Sequence, residues 1–371
     1  MQLKIIVTGT RGFPNVQGGV EAHCEHLYPI LVKKGCDVTV ITRKTYVDPA
    51  LKEYKGVKLV PVRNPRKKSL EAIIHTFLAV LKAKSMGCDI LHIHAIGPAL
   101  LVPFARMLGL KVVMTNHGPD YDRQKWGGFA KGMLRLGEYC GSKWANKVIS
   151  ISKPIADNLR LKYRCAAEII PNGVAVPEIA ETDEALERFG LQKNKYILAV
   201  GRFVPEEGFH DLVKSWELGV GSGWKLVIVG DADHEDEYSK GLRAKSKGLA
   251  NVILTGRLTG RPLQELYSHA GLFILPSYHE GLPIVLLEAM SYGLSCIVSD
   301  IPANREVDLN DDRYFKPGEI EGMAAKIREF SRKEMNAKER EKQIEYIREN
   351  FDWVKIAERT LEVYRKVSTP S

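Results

Sequence analysis

The 371-residue chain has only six cysteines, at 24, 36, 88, 140, 165 and 296, and no Cys-x-x-Cys pair. That excludes a disulfide framework or a thiolate zinc site and predicts reduced, packed thiols in a cytoplasmic protein. No apolar run approaches the ~20 residues that a membrane span requires. The start, Met1-Gln-Leu-Lys-Ile-Ile-Val, lacks the basic, apolar and small-residue segments of a signal peptide and leads straight into a strand pattern. Internal repeats and low-complexity tracts are missing, which excludes solenoids and disordered linkers. No helix-turn-helix, zinc-finger or RNP-type pattern occurs, so nucleic acid is not an expected partner.

What is there is a chain with 44% hydrophobic residues, long enough for two ordinary domains. Short apolar strand patterns recur at 4–8, 38–42, 58–62, 90–94, 112–116, 148–152 and 168–171. Helical patterns at 20–34 and 70–84 lie between them. A second series places strands at 196–201, 225–230, 252–255, 272–276 and 295–299, with helices at 209–218, 261–269, 283–292 and 320–332. Alternation of this kind predicts α/β domains with doubly wound parallel sheets. Between the series, Pro171-Asn-Gly-Val-Ala-Val-Pro177 and an acidic stretch to Asp183 mark a boundary near 172–185. The last segment carries apolar residues at 353, 354, 356, 357, 361, 363, 364 and 367, a stripe that needs something to pack on.

Acidic residues are scarce in the first half. Residues 1–175 hold 27 Lys+Arg against 12 Asp+Glu, a net of +15, whereas the remainder hold 27 against 33, a net of −6. A basic domain implies an anionic partner, and an anionic membrane surface is the expected one. Arg63-Asn-Pro-Arg66-Lys67-Lys68 and the stretch 123–147 carry the charge. The latter mixes Trp126, Phe129, Met133, Leu134, Leu136 and Trp144 with Lys125, Lys131, Arg135, Lys143 and Lys147, as an interfacial helix would. An ordinary amphipathic helix on a domain core fits the same pattern.

The most informative stretch is Phe273-Ile-Leu-Pro-Ser277-Tyr-His-Glu280-Gly281-Leu282-Pro283-Ile-Val-Leu-Leu-Glu288. An apolar strand breaks at Pro276, turns through Glu280-Gly281 and restarts as a helix at Pro283. A helix start presents free N–H groups and a positive dipole end to an anion. Glu280 and Glu288 are acceptor-only groups suited to sugar hydroxyls. Together they point to a nucleotide-sugar site. After the first strand, Gly9-Thr-Arg11-Gly12-Phe-Pro-Asn15-Val-Gln17-Gly18-Gly19 is longer than a dinucleotide fingerprint allows. Thr115-Asn-His117-Gly118 ends another strand. His92 and His94 alternate on the strand before it; no third ligand lies near them in sequence, so they are read as structural. Arg202, in Gly201-Arg202-Phe-Val-Pro-Glu206-Glu207-Gly208, suits a diphosphate through bidentate hydrogen bonds.

These motifs, in this order and over nearly the whole chain, resemble the retaining glycosyltransferases of family 4, of the bacterial polysaccharide and lipid-linked glycan type. Glu280-Gly-Leu-Pro with Glu288 resembles the family's E-x(7)-E signature. Ile170-Pro-Asn172-Gly173 resembles its interdomain strand end, and Gly256-Arg257 its nucleobase loop. The resemblance implies the GT-B fold: two Rossmann-like domains, 1–172 and 173–352, facing each other across the active-site cleft, with 353–371 returning to the first. The first domain would serve the acceptor and the second the nucleotide sugar. The resemblance also implies His117, Glu280 and Arg202 as catalytic. Gly18, Gly19, Glu207, Arg257, Gly281, Leu282, Pro283 and Glu288 would bind the donor, and Arg11, Asn15 and Gln17 would face the acceptor.

The implied reaction moves a hexose-type sugar from a nucleoside diphosphate, UDP before GDP, to a saccharide or lipid-linked saccharide. It uses no metal and no cofactor, at the cytoplasmic face of the cell membrane. One departure stands out. The family pattern has lysine where this chain has Glu207, so a catalytically weak nucleotide-sugar-binding protein is the alternative. A nucleotide-dependent oxidoreductase would also use Rossmann-like sheets, but the glycine spacing and the paired glutamates disfavour it.

Overall fold

The computed structural model describes residues 2–63, 68–122, 127–221 and 223–369, the side chains of 68–70 excepted. In chain order the elements are β1 (Lys4–Thr8), α1 (Gly19–Lys33), β2 (Asp37–Arg43), β3 (Glu53–Tyr54), β4 (Val57–Val62), α2 (Lys68–Met86), β5 (Ile90–His94), α3 (Val102–Met107), β6 (Val112–Asn116), α4 (Gly128–Trp144), β7 (Lys147–Ser150), α5 (Lys153–Tyr163) and β8 (Glu168–Ile169). They continue with α6 (Glu184–Phe189), β9 (Tyr196–Val200), α7 (Phe209–Glu217), β10 (Lys225–Val229), α8 (Glu237–Lys247), β11 (Val252–Gly256), α9 (Arg261–His269), β12 (Leu272–Leu275), α10 (Ile284–Ser291), β13 (Cys296–Ser299), β14 (Tyr314–Phe315), α11 (Ile320–Phe330), α12 (Ala337–Asn350) and α13 (Trp353–Ser368).

The chain forms two compact units, Met1–Gly173 with Trp353–Ser371, and Val174–Asp352. The first unit is built on a sheet of order β3-β4-β2-β1-β5-β6-β7-β8, parallel except for the short β3. Strands such as Ile90–His94 and Val112–Asn116 are buried along their whole length, as strands covered by helices on both faces must be. The second unit has the wholly parallel order β11-β10-β9-β12-β13-β14. Both are doubly wound α/β sheets, as the strand and helix patterns predict.

The C-terminal stripe packs on α1. Trp353, Ile356, Ala357, Leu361, Val363, Tyr364 and Val367 join Leu27, Tyr28 and Leu31 in the core of the first unit. Each large apolar side chain buried this way contributes roughly 1.5–3 kcal/mol. Val354 departs from the expected stripe and is 46% exposed, since at 3.6 residues per turn it lies about 100° round the helix from Trp353, at the edge of the buried face. All six cysteines are free; Cys88 is half-buried and the others are buried.

Candidate active site

In the second unit the chain runs β9 to β10 to β11 in one direction, then returns to place β12 on the other side of β9. Ligand crevices form beyond the carboxyl ends of parallel strands where such an order reverses. The loops after β9 and β12 therefore flank the expected position. They are locked together. The Tyr278 N–H donates to the Glu206 carbonyl at 2.8 Å. Gly208 has a φ of 71°, and a Cβ on it would lie 2.2 Å from the Pro276 oxygen. Ser299 Oγ donates to the Ser277 carbonyl from the neighbouring strand.

The β9 loop carries Arg202, ion-paired with Asp233 at 3.6 Å. It also carries Glu207, at the end of a single 3-10 turn. The Glu207 carboxylate lies over the strand end: a Cβ on Gly201 would meet its Oε2 at 2.8 Å. Burial, and after it the charges of Glu207, Asp211 and Glu206, push the Tyr238 phenol well above its ordinary pKa. This corner is acidic. Arg257 follows β11 and is exposed.

The β12 loop brings Glu280 and Gly281, both half-buried, to the start of α10, with Leu282 and Pro283 buried behind them. The N-cap residue of that helix, Pro283, makes no side-chain cap hydrogen bond. Glu288 sits on the second turn of α10. The Tyr267 phenol donates to its Oε2 at 3.0 Å. Burial raises the Glu288 pKa to about 7, against the opposing effect of the Tyr267 hydrogen bond. Tyr267, on α9, escapes sequence reasoning, since nothing in its surroundings marks it as a partner of a residue on α10.

In the first unit the order reverses between β1 and β5. Gly18 caps α1 with a φ of 147° and stands against Glu21, whose Oε2 would lie 2.2 Å from an added Cβ. Gly19 faces open space, with nothing within 4 Å of such a Cβ. Arg11 closes its own loop: it pairs with Glu21 at 3.2 Å and donates to the Gln17 carbonyl. Asn15 is exposed, at a φ of 64°.

His117 follows β6 and is half-buried. Its Nε2 lies 2.9 Å from His94 Nδ1. His94 Nε2 meets the Tyr28 hydroxyl. His92 Nδ1 lies 2.6 Å from the Tyr364 hydroxyl, and its Nε2 lies 2.7 Å from Thr115 Oγ1. His23, on α1, packs its ring 5.1 Å from that of His117 and 5.5 Å from that of His94. Burial lowers the pKa of His23, His92 and His117 to about 3, and that of His94 well below its ordinary value. All four imidazoles are neutral at physiological pH. The reading of His92 and His94 as having no third histidine nearby is corrected here, because the fold brings His23 and His117 to His94. The only trace of His23 in the sequence is its place one turn after Gly19.

Among the described residues no helix is long and apolar enough to cross a membrane. On α2, however, Ile74, Phe77, Leu78 and Leu81 form an apolar stripe that is 37–41% exposed. On α4, Phe129, Leu136, Tyr139 and Trp144 are exposed as well. Both helices pack against the turn at 98–101. The α2 stripe has no counterpart among the sequence expectations, since periodicity does not say which face is covered. Arg66, Lys67, Arg123, Lys125, Trp126 and the Lys68 side chain lie outside what the structure describes.

Two family models match the chain. Residues 17–176 match Glycosyltransferase Family 4, and residues 181–350 match Glycosyl transferases group 1. An uncharacterized glycosyltransferase of Methanocaldococcus jannaschii is 26% identical over 95% of each chain. A UDP-Gal:α-D-GlcNAc-diphosphoundecaprenol α-1,3-galactosyltransferase of Escherichia coli is 25% identical over 77% of each. Among solved structures, a sucrose-phosphate synthase from Thermosynechococcus elongatus superposes with a TM-score of 0.83 at 20% identity, covering 99% of both chains.

Proposed function

The chain belongs to the family 4 glycosyltransferases and has their GT-B architecture, and on that premise we propose that it moves a hexose from UDP to a saccharide on a lipid carrier, with retention of anomeric configuration. One observation carries this reading. The second unit sets Arg202, Glu280 and the start of α10 at the carboxyl ends of β9 and β12, where the order of one parallel sheet reverses, with Arg257 after its edge strand β11. Glu288 lies one turn further into the helix.

In this reading the donor diphosphate lies against Arg202 and the amides of the Glu280–Pro283 turn, which stabilise charge as it develops on the leaving group. The amides of Gly18 and Gly19 add to that stabilisation. Glu288 accepts from the ribose hydroxyls and Glu280 from the donor sugar, while Arg257 borders the nucleobase. His117, a neutral imidazole, exchanges a hydrogen bond with a sugar hydroxyl. The acceptor oxygen attacks on the face the nucleotide leaves, and the departing phosphate takes its proton. No carboxylate is assigned as a covalent nucleophile.

The surface of the first unit supports the choice of a lipid carrier. The α2 stripe, the exposed apolar residues of α4, and Lys131, Arg135, Lys143 and Lys147 combine apolar and cationic character. That combination suits a peripheral seat on an anionic bilayer. The relative from E. coli has a name that specifies a UDP-sugar donor and a diphosphoundecaprenol-linked acceptor.

Glu207 supports a second reading, a binding protein with weak turnover, because it places a carboxylate where the diphosphate is expected. One experiment separates the two. The purified chain is given UDP-, GDP- and ADP-sugars with a lipid-linked saccharide, and both nucleotide release and the anomeric configuration of the product are followed by NMR. Turnover with an axial donor giving an axial product supports the proposal. An inverted product overturns retention. Nucleotide-sugar binding without turnover of any donor establishes the second reading instead.

A further inference from the structure

Three histidines from three separate elements converge in the first unit. His23 comes from α1, His94 from the end of β5 and His117 from the end of β6. Each offers one ring nitrogen, and all three nitrogens lie within 4.8 Å of one another. We propose that His23, His94 and His117 form a binding site for a divalent transition-metal ion that takes neutral imidazole ligands, Zn2+ or Co2+, and that the seated ion withholds His117 from the donor sugar. The second half rests on the role given to His117 above; the first does not.

The partners of these rings prepare them as ligands. An imidazole that ligates a metal needs its other nitrogen held by a hydrogen-bond partner, which fixes the tautomer and the ring plane. Asn172 Oδ1 is a carbonyl and only accepts, so at 3.0 Å it takes the proton of His23 Nδ1. The His23 lone pair is then on Nε2. For His94, one orientation of the hydroxyls leaves a lone pair for the ion: His94 Nε2–H donates to Tyr28, and the Tyr28 and Tyr364 hydroxyls face His92 Nδ1 at 3.1 and 2.6 Å. His92 Nε2–H then donates to Thr115. In that order the His94 lone pair is on Nδ1, the nitrogen that faces His117.

The dimensions fit with small adjustment. A Zn–N bond of about 2.0–2.1 Å puts tetrahedral ligand atoms about 3.4 Å apart. The pair His94 Nδ1 and His117 Nε2, at 2.9 Å, opens slightly, and His23 closes by ring rotation. Three protein nitrogens leave a fourth position open, and the half-buried His117 gives access to it. Imidazole nitrogen selects transition ions over Mg2+ and Ca2+, which prefer oxygen. The competing state is the metal-free one, in which His94 Nδ1–H donates to His117 Nε2.

The test uses the full chain, treated with chelator and free of nucleotide sugar, titrated with Co2+ and then Zn2+ at neutral pH. The expected result is one Co2+ bound per chain, with visible d–d absorption of a low-coordinate imidazole site that Zn2+ abolishes and Mg2+ does not. His23→Ala and His94→Ala remove the absorption. Asn172→Ala, which frees the His23 ring without removing a ligand, weakens binding roughly 10–100-fold. His234→Ala, an exposed histidine of the second unit, leaves it unchanged. Circular dichroism confirms that each variant is folded; should one unfold, the imidazole proton resonances of the unaltered chain report Zn2+ binding directly. No absorption and no binding heat in the unaltered chain overturns the site, as does absorption that survives loss of both His23 and His94. Zn2+ should then inhibit sugar transfer with the half-saturation seen in binding. Binding without inhibition overturns the second half alone. Absence of transfer without metal counts against the proposed function and leaves the site standing.

Discussion

The Tyr267 phenol donates to the Glu288 carboxylate across 3.0 Å, linking α9 to the helix that opens the candidate site. Burial has raised that carboxyl to about 7 from an ordinary 4.5. The group is therefore partly protonated at neutral pH, whereas two ribose hydroxyls are best accepted by the anion. UDP affinity should rise as pH climbs from about 6 to 8, and binding should release protons. The sign for stability is the reverse. The folded-state pKa lies above the unfolded one, so the free protein is penalised progressively as pH rises from about 4.5 to about 7. Tyr267→Phe removes support for the anion and moves the affinity midpoint to higher pH. Glu288→Gln flattens the profile and weakens UDP binding by roughly 1.5–3 kcal/mol. Calorimetry in buffers of different ionisation enthalpy measures all of this; a pH-independent affinity in the unaltered protein would remove Glu288 from the nucleotide site.

Glu207→Lys should tighten nucleoside diphosphate binding at least about tenfold and raise turnover. Two unit charges about 4 Å apart interact by about 4 kcal/mol at an effective dielectric near 20, and solvent reduces what is realised. Nucleoside monophosphate affinity should change less, because it lacks the second phosphate. Equal affinity for the diphosphate in both proteins would show that Glu207 stands away from it.

Membrane attachment should depend on the α2 stripe. Phe77→Ser with Leu81→Ser removes two side chains that are each 41% exposed, at the cost of the stacking of Phe77 on Phe104, so circular dichroism checks that the pair is folded. The pair should reduce sedimentation with anionic liposomes at low salt severalfold, and high salt should weaken binding by the unaltered chain. Equal sedimentation with neutral and anionic vesicles would rule out the proposed seat.

Two glycines of nearly equal φ make a stability test. Gly208 and Gly219 have φ of 71° and 70°. Alanine at Gly219 meets open space, so it should cost only left-handed strain, roughly 1–2 kcal/mol. Alanine at Gly208 adds a contact of 2.2 Å with the Pro276 backbone and should cost distinctly more. Urea unfolding of the second unit compares the two; equal losses would mean that the β9 and β12 loops are not tightly locked.

Strand and helix order was legible because buried parallel strands are short apolar runs, and both sheets have the doubly wound form those runs imply. The glycosyltransferase class was legible in the Glu280–Glu288 stretch, since strand, turn and helix start are adjacent in sequence. Partnerships across the fold were not. Tyr267 meets Glu288 and His23 meets His94 only through packing of separate elements. Asn172 reaches His23 across 149 positions, a distance over which composition and periodicity carry no signal. The exposed α2 stripe was equally hidden, because an apolar face reads the same whether a core or solvent lies against it.

The placement of α13 also sets an order of events during synthesis. The second unit is one uninterrupted stretch, Val174–Asp352, and every contact it makes internally is available once that stretch has emerged. The first unit lacks Trp353, Ile356, Leu361 and Tyr364 until later still. Domains commonly fold in the order they are made. Here the unit that leads the chain is completed last, and until then the apolar side of α1 around Leu27, Tyr28 and Leu31 has nothing from α13 to cover it. A nascent chain paused before Trp353 should therefore bind chaperone through its leading half rather than its trailing one.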